Sequence, residues 1–247
     1  MNGAGGSPSW VDTSGRTILL VSPHYDDVPL SLGQSLIDGA LSRARRVEVR
    51  VVFGRTNWSV MFHPKPSRAR VVTAVRRTEE ALAARRFGYR VRTEQLKEAI
   101  LRLGTLDPET FRGDGPVADD PLVDEIEAMA RRWSRGADEV WFCAGVGSHV
   151  DHRLVAEAGA RLARRDAGGI AFYEERPYTA YLTDDQIAHE VSALGLPMEP
   201  RVVSGPIAES TQRTVRRIYR SQMDEYFHRA QEIDRTQDRT ERIWVPG

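Results

Sequence analysis

The sequence has one cysteine, few lysines and no long hydrophobic run. Because Cys143 is alone, the chain has no internal disulfide framework and no cysteine-rich zinc ribbon, which fits a reducing compartment. Its apolar runs, such as residues 18–21, are far too short to cross a bilayer. The first ten residues also lack the basic and apolar regions of a secretion signal. We therefore expect a cytoplasmic protein with no membrane partner.

Net charge is also absent, since 35 basic residues balance 35 acidic ones. No basic field remains to attract phosphates, so the composition predicts no nucleic-acid partner. With 40% hydrophobic and 28% charged residues among 247, the chain has the composition of an ordinary globular protein. We predict one domain over residues 1–247, in which residues 1–15 form a loose leader. No feature of the sequence predicts an oligomeric state.

Short apolar runs alternate with segments of helical periodicity. The predicted strands are residues 17–21, 47–53, 139–144 and 170–173. The predicted helices are residues 30–44, 67–87, 93–103, 121–134 and 152–165. This alternation favours parallel strands with helices on both faces, so we predict an α/β fold, a Rossmann-like three-layer sandwich with a mostly parallel sheet. After residue 206, apolar residues at helical spacing predict a tail that packs on the sheet.

Two of the predicted strands end in clusters of imidazoles and carboxylates. The first strand runs into SPHYDD at residues 22–27, and the third runs into GVGSHVDH at residues 145–152. Ligands of open parallel sheets gather beyond the carboxyl ends of the strands. The sequence therefore predicts that these clusters share one edge of the sheet.

The spacing within the two clusters suits a metal ion. His24 and Asp27 are three residues apart, as are His149 and His152, and such pairs lie about 5–6 Å apart between Cβ atoms on a helical turn. Two imidazoles and a carboxylate form the open three-ligand Zn²⁺ site used in catalysis, although other divalent transition metals accept the same ligands. A spare carboxylate beside the site would be a general base. The alternative for each motif is a polar helix start, with Asp27 as cap or dipole partner in the first and Asp151 as cap in the second.

Both motifs together resemble a family signature. PHYDD at residues 23–27 and HVDH at residues 149–152 are similar, in order and separation, to the two motifs of the PIG-L (LmbE-like) family of zinc-dependent N-deacetylases. YEERPY at residues 173–178 and YRSQ at residues 219–222 resemble further elements of that family. The resemblance spans residues 17–225.

The resemblance implies a reaction and a role for each motif residue. The reaction would be removal of an N-acyl group, above all N-acetyl, from a small molecule that contains an amino sugar or is a glycoside. His24, Asp27 and His152 would bind the metal. Asp26 would take a proton from the attacking water, and the alternative is that it is a further metal ligand or only a hydrogen-bond acceptor beside the metal-binding residues. His149 would stand beside the oxyanion and Asp151 would orient it.

Four further residues are candidates for binding the substrate, each with an alternative as a solvated or structural residue. They are Arg55, Asn57, Arg76 and Tyr25. Tyr25 stands where the family has proline, and we expect it to face the substrate. Val28 replaces a common glutamate, and Gly147 stands where some relatives have a tyrosine. Roles that depend on those side chains therefore do not transfer.

Other functions stay open at this point. An amidase that acts on a thiol conjugate would use the same site. A metal-binding protein without turnover and a nucleotide-binding Rossmann-like protein are the alternatives outside hydrolysis. The nucleotide-binding alternative would need a glycine-rich loop after the first strand, and the carboxylates of SPHYDD would repel a pyrophosphate.

Overall fold

The structure, a computed structural model, describes residues 10–62, 65–105, 108–113 and 115–247. The strands of this part are β1 (Thr17–Ser22), β2 (Arg46–Val51), β3 (Arg90–Thr93), β4 (Glu139–Cys143), β5 (Ile170–Tyr173), β6 (Met198–Pro206) and β7 (Thr240–Pro246). Its helices are α1 (Asp27–Asp38), α2 (Ala69–Phe87), α3 (Ala99–Leu103), α4 (Pro108–Phe111), α5 (Pro121–Trp133), α6 (Val150–Arg165), α7 (Asp184–Ser192), α8 (Glu209–Ile218) and α9 (Glu225–Thr236). None of these described helices is both long and apolar enough to cross a membrane.

The strands form one sheet in the order β3-β2-β1-β4-β5-β7-β6. The first five are parallel, whereas β7 runs antiparallel to both β5 and β6. The strand order reverses between β1 and β4, so right-handed crossovers place α1 and α6 on opposite faces. Helices α1, α2 and α8 contact one another, and α5 packs on α6. The predicted α/β three-layer sandwich with a mostly parallel sheet is confirmed.

The central strands are visible in the sequence because both of their faces are covered. Every residue of β1, β4 and β5 is buried, as expected of parallel strands between helical layers. Strand β2 alternates buried and half-buried residues. The ends of the apolar runs in β1 and β4 therefore mark where these two strands end.

Three strands differ from the sequence-based prediction. Strand β3 reads RVRT, with alternating exposed and half-buried residues, because it lies at the edge of the sheet and buries no apolar run. The helix predicted over residues 93–103 is shortened to α3, because the backbones of Leu96 and Glu98 hydrogen-bond to Arg55 instead. Strands β6 and β7 were not predicted, and β6 buries only two of its residues and contains two prolines. The tail after residue 206 is two helices, α8 and α9, followed by β7.

The predicted leader falls largely outside the described residues, which begin at residue 10. Its described end is held in place, unlike the loose segment expected. Thr13 is buried and its hydroxyl donates to the Ala40 carbonyl. The Val11 N–H donates to the Val202 carbonyl at 3.4 Å. The single domain over residues 1–247 stays a prediction.

Helix α1 is interrupted at Leu32, whose φ of −131° and ψ of 15° are not helical. The N–H groups of the next turn find acceptors on another element. Gln34 and Ser35 donate from their backbones to the Glu241 carboxylate at 2.8 and 2.6 Å. Glu241 is 1% exposed and lies on β7. Glu241 therefore links α1 to β7, in the antiparallel part of the sheet.

We expect Glu241→Ala to lower the free energy of unfolding by about 2 kcal/mol, since each buried donor left unpaired costs about 1–3 kcal/mol and removal of a buried carboxylate offsets part of that cost. Urea unfolding followed by circular dichroism measures the change. Glu241→Gln keeps one acceptor oxygen, so its stability should lie between those of the wild type and Glu241→Ala. Equal stability of all three proteins would contradict this role of Glu241.

Candidate active site

The two motifs meet beyond the neighbouring strands β1 and β4. His24 Nδ1 lies 3.3 Å from His152 Nε2. The Asp27 carboxylate lies 3.5 Å from His24 Nδ1 and 3.4 Å from His152 Nε2. Tetrahedral ligands about 2.0–2.1 Å from a zinc ion lie about 3.3 Å from one another. The three side chains therefore have the spacing that a metal ion requires, and metal binding by them stays a prediction.

The turn after β1 is closed by its own polar groups. The His24 N–H donates to Asp27 Oδ2 at 2.7 Å, and the Ser22 hydroxyl donates to the His24 carbonyl at 2.6 Å. The capping alternative assigned the helix cap to Asp27, but Asp27 is the first residue of α1 and the N-cap position is Asp26, whose side chain makes no capping hydrogen bond.

In His24 and in His152, the ring nitrogen that points away from the other histidine contacts a carboxylate. His24 Nε2 lies 3.0 Å from Asp151 Oδ2, and His152 Nδ1 lies 3.2 Å from Glu175 Oε1. Such contacts fix the tautomer and the ring orientation of metal-binding histidines. Asp151 was expected to orient His149. Its carboxylate contacts His24 instead, because the start of α6 points it toward the end of β1.

The electrostatics of the site favour a cation. Burial by itself lowers the pKa of His24, but the surrounding carboxylates, of which Glu98 contributes most, outweigh it and raise that pKa to about 9. Burial also lowers the pKa of His152, and Asp27 together with Glu175 reverses the effect and raises it. A buried cluster so rich in carboxylates suits a divalent ion, so the donor set fits a metal.

Asp26 lies beside the predicted metal-binding side chains with one carboxylate oxygen engaged. Arg76 donates to Asp26 Oδ1 at 2.7 Å, and the described residues offer Asp26 no other side-chain partner. Arg76 is 2% exposed and also lies 3.4 Å from Glu98 Oε1. Arg76 was predicted to bind the substrate. It borders the cleft, but its guanidinium is engaged by these two carboxylates.

The other three predicted substrate-binding residues do not border the cleft. Tyr25 is 1% exposed and its hydroxyl donates to the Gly54 carbonyl at 2.7 Å. The prediction that it faces the substrate is wrong, because the ring is packed in the apolar core. Arg55 is exposed and bridges to Lys97 through its backbone. Asn57 is 3% exposed and is not among the side chains that line the cleft.

The neutral imidazole of His149 lies beside the predicted metal-binding side chains and can donate a hydrogen bond there. Burial, followed by the neighbouring imidazoles, lowers the pKa of His149 well below its usual value. Its Nδ1 accepts the Asp151 N–H at 3.2 Å, so the proton of the neutral ring is on Nε2. One nitrogen each of His24, His149 and His152 lie within 4.8 Å of one another. His149 Nε2–H can therefore donate to a group bound at this point.

A cleft of about 290 Å³ opens above these side chains. Its walls combine aromatic rings with carboxylates and amides, as sites for small polar molecules do. The lining side chains beyond the motifs include Trp58, Phe111, Arg112, Tyr178, Gln222, Asp224 and Tyr226. Glu98 also lines the cleft, and its Oε2 has no hydrogen-bond partner among the described residues. Sequence reasoning missed Glu98, because one glutamate in LKEAI has no motif spacing.

Tyr178 fills the space beside Gly147. Gly147 has a φ of +87°, and a Cβ at this position would lie 2.2 Å from Tyr178 Cγ. The Tyr178 ring lies edge-on to His152, with 5.6 Å between the ring centroids. A tyrosine at position 147 therefore has no room here, and Tyr178 presents the aromatic ring on that side of the cleft.

A scan against models of known protein families finds no match. The 2'-N-acetylparomamine deacetylase of Streptomyces fradiae is 40% identical over 167 residues, which are 66% of this chain and 58% of that protein. The 2'-N-acetylparomamine deacetylase of Niallia circulans is 26% identical over 189 residues, 66% of this chain and 68% of that protein. The match therefore spans less than two thirds of the first relative.

The fold has a counterpart among solved structures. A deacetylase of the teicoplanin biosynthesis pathway superimposes with a TM-score of 0.65 at 22% identity, covering 94% of this chain and 98% of that one. At this identity the likeness concerns the fold. In sequence the chain is similar to the two 2'-N-acetylparomamine deacetylases over part of its length. Its two motifs, at the ends of the neighbouring strands β1 and β4, resemble those of the PIG-L (LmbE-like) family, and membership in that family stays a prediction.

Proposed function

We propose that the protein is a metal-dependent hydrolase that removes an N-acyl group, above all N-acetyl, from a small molecule containing an amino sugar. The observation that carries the proposal is the convergence of His24, Asp27 and His152 beside Asp26 at one end of a cleft. The name of the Streptomyces fradiae relative, a deacetylase of an acetylated paromamine, supports this substrate class.

The metal-binding residues in this proposal are His24, through Nδ1, His152, through Nε2, and Asp27. Two imidazoles and one carboxylate are a usual ligand set of catalytic Zn²⁺, although other divalent ions share it. A cation bound there supplies Lewis acidity, which lowers the pKa of water and polarises a carbonyl. His149 also has a ring nitrogen within 4.8 Å of a ring nitrogen of His24 and of His152, and in this proposal it donates a hydrogen bond rather than binding the metal.

Asp26 is the general base in the proposed reaction. Because Arg76 holds Oδ1 and the other oxygen of Asp26 has no hydrogen-bond partner among the described residues, that oxygen can accept the proton of the attacking water. The protonated carboxyl can then return the proton to the departing amine. One residue thereby serves both proton transfers of amide hydrolysis.

His149 stabilises the charge that develops on the acyl oxygen. Its Nε2–H donates to that oxygen as the tetrahedral intermediate forms, since Nδ1 is occupied by the Asp151 N–H. A neutral imidazole in this tautomer remains a donor throughout turnover. The aromatic side chains of the cleft, among them Trp58 and Tyr226, provide apolar faces for the sugar ring.

The other functions considered have weaker support. A nucleotide-binding role would bring phosphates against Asp26, Asp27 and Glu98, which repel them. An amidase of thiol conjugates would use the same metal-binding residues, so substrate screening has to include it. A cytoplasmic location stays a prediction.

The test is deacetylation by the purified full chain. We expect the Zn²⁺-loaded protein to remove acetyl from N-acetylated amino sugars, with 2'-N-acetylparomamine as the first substrate and an N-acylated thiol conjugate as comparison. Mass spectrometry detects the loss of the acetyl unit. Chelator should abolish turnover and added Zn²⁺ should restore it. Turnover that persists in metal-free protein would contradict the mechanism, and preference for the thiol conjugate would contradict the substrate class.

A further inference from the structure

We infer that Arg102, a residue outside both motifs, is a positioning residue for the metal: it holds Asp151, and Asp151 holds the metal-binding ring of His24. The inference rests on the proposed metal site. Arg102 does not line the cleft in the described part of the chain, so it acts through other side chains.

The Asp151 carboxylate contacts both His24 and helix α3. Its carboxylate is fully buried and lies 3.0 Å from His24 Nε2. Helix α3 provides the other contacts: the Ala99 N–H donates to Oδ2 at 2.9 Å, and Arg102 Nη1 donates to Oδ1 at 2.7 Å. A chain of contacts therefore runs from α3 through Asp151 to the imidazole of His24.

Arg102 supplies the positive charge in this chain of contacts. A buried carboxylate needs a cation or several hydrogen bonds to remain ionised and in one orientation. Among the described arginines and lysines, Arg102 is the one that pairs with Asp151. Its guanidinium also lies 5.0 Å from the Phe53 ring centroid and donates to the Lys97 carbonyl at 2.7 Å. These contacts fix the guanidinium against the carboxylate.

The orientation of His24 depends on this contact. With Nε2 bound to Asp151, the ring presents Nδ1 toward His152 Nε2, 3.3 Å away. A Glu98 oxygen lies 3.5 Å from the same Nε2 and would compete for it if Asp151 moved. Loss of Arg102 would thus leave two carboxylates to share one N–H, and the Nδ1 lone pair would no longer be held on the metal position.

The experiment measures Zn²⁺ affinity rather than turnover. Metal-stripped full-length protein is titrated with Zn²⁺ against a chromophoric chelator, and melting of each metal-free variant reports its fold. We expect Arg102→Ala to raise the Kd for Zn²⁺ about 10–100-fold, the range typical of lost partners of metal-binding residues. Arg102→Lys keeps the charge and a donor, so it should recover most of the affinity.

Arg50→Ala is the matched control. The Arg50 side chain is 15% exposed, against 19% for Arg102, and it likewise pairs with a carboxylate, that of Glu94, and lies over an aromatic ring, Trp133. Among the described residues, its carboxylate partner Glu94 makes no contact with His24 or Asp151, so the Kd of Arg50→Ala should stay within about twofold of the wild type, well below the effect of a lost metal-site partner.

The outcomes separate this inference from the proposed function. A Kd for Arg102→Ala equal to that of the wild type, or an equal rise in Arg50→Ala, would overturn the role of Arg102. If Arg102→Ala fails to fold, Arg102→Gln, which keeps length without charge, takes its place under the same criteria. A wild-type protein that binds no Zn²⁺ would overturn the metal site itself, and this inference with it.

Discussion

Asp26→Asn is expected to lower kcat for deacetylation by about 10²–10⁴-fold, the usual contribution of a general base, while the protein still binds Zn²⁺. Asparagine keeps an oxygen for Arg76, which donates to Asp26 Oδ1 at 2.7 Å, so the local structure is retained. What it loses is the oxygen that accepts a proton. Steady-state kinetics with metal analysis of the same samples measures both quantities.

Asp185→Asn is the control for this substitution. Asp185 is exposed in the first turn of α7, outside the cleft, so its loss of charge should leave kcat unchanged. If Asp26→Asn keeps wild-type kcat, Asp26 is not the base. If instead it loses the metal, Asp26 is a ligand, and the assignment of the three metal-binding residues would have to change.

His152→Ala is expected to remove the metal and with it all measurable turnover. His152 Nε2 lies within 3.4 Å of both His24 Nδ1 and Asp27 Oδ1. A metal ion bound by those two atoms would therefore also contact His152, and the substitution would remove one of its ligands. We expect the Kd for Zn²⁺ to rise by more than about 100-fold, beyond the range seen for lost supporting residues. Metal content after dialysis and acetyl release measure the two effects.

The exposed His189 on α7 provides the control for His152→Ala. His189→Ala removes an imidazole outside the cleft and should leave metal content and turnover at wild-type values. Stoichiometric Zn²⁺ in His152→Ala would place the ion elsewhere. Full turnover in that variant would contradict any role of the second motif in the reaction.

The centre of the fold is predictable from the sequence and its edges are not. β1, β4 and β5 are buried on both faces, so their sequences are apolar runs with clear ends. β3 and β6 lie at the two edges, where half of the side chains face solvent and charged residues are tolerated. A local pattern does not distinguish such strands from loops or from short helices.

The candidate site likewise has a part that the sequence predicts and a part that it does not. The spacing of His24 and Asp27, and of His149 and His152, is visible in the chain, and the adjacency of β1 and β4 brings the two pairs together. The groups that contact them come from distant segments: Glu98 and Arg102 lie at α3, and Glu175 follows β5. Glu175 lies in the YEERPY stretch that the sequence singles out, but its contact with His152 is visible only in the structure. Glu98 and Arg102 are single charged residues with no local signal, so three-dimensional contacts alone reveal their roles.

Tyr25 illustrates the opposite error. Its position inside the first motif suggested contact with the substrate, but the turn directs the ring into the core, where its hydroxyl donates to the Gly54 carbonyl. The motif predicts the turn in which a residue such as Tyr25 lies, but not the direction in which its side chain points. The direction of the side chain depends on packing with other segments, here α2, whose Arg76 guanidinium lies 5.7 Å from the Tyr25 ring centroid.

Anomalous diffraction at the zinc edge, from crystals of Zn²⁺-loaded protein, tests the metal position most directly. We expect one strong peak about 2.0–2.1 Å from His24 Nδ1, His152 Nε2 and an Asp27 oxygen, with His24 Nε2 still on Asp151 and Asp26 unligated. A peak away from these three atoms, or bound through His24 Nε2, would contradict the account.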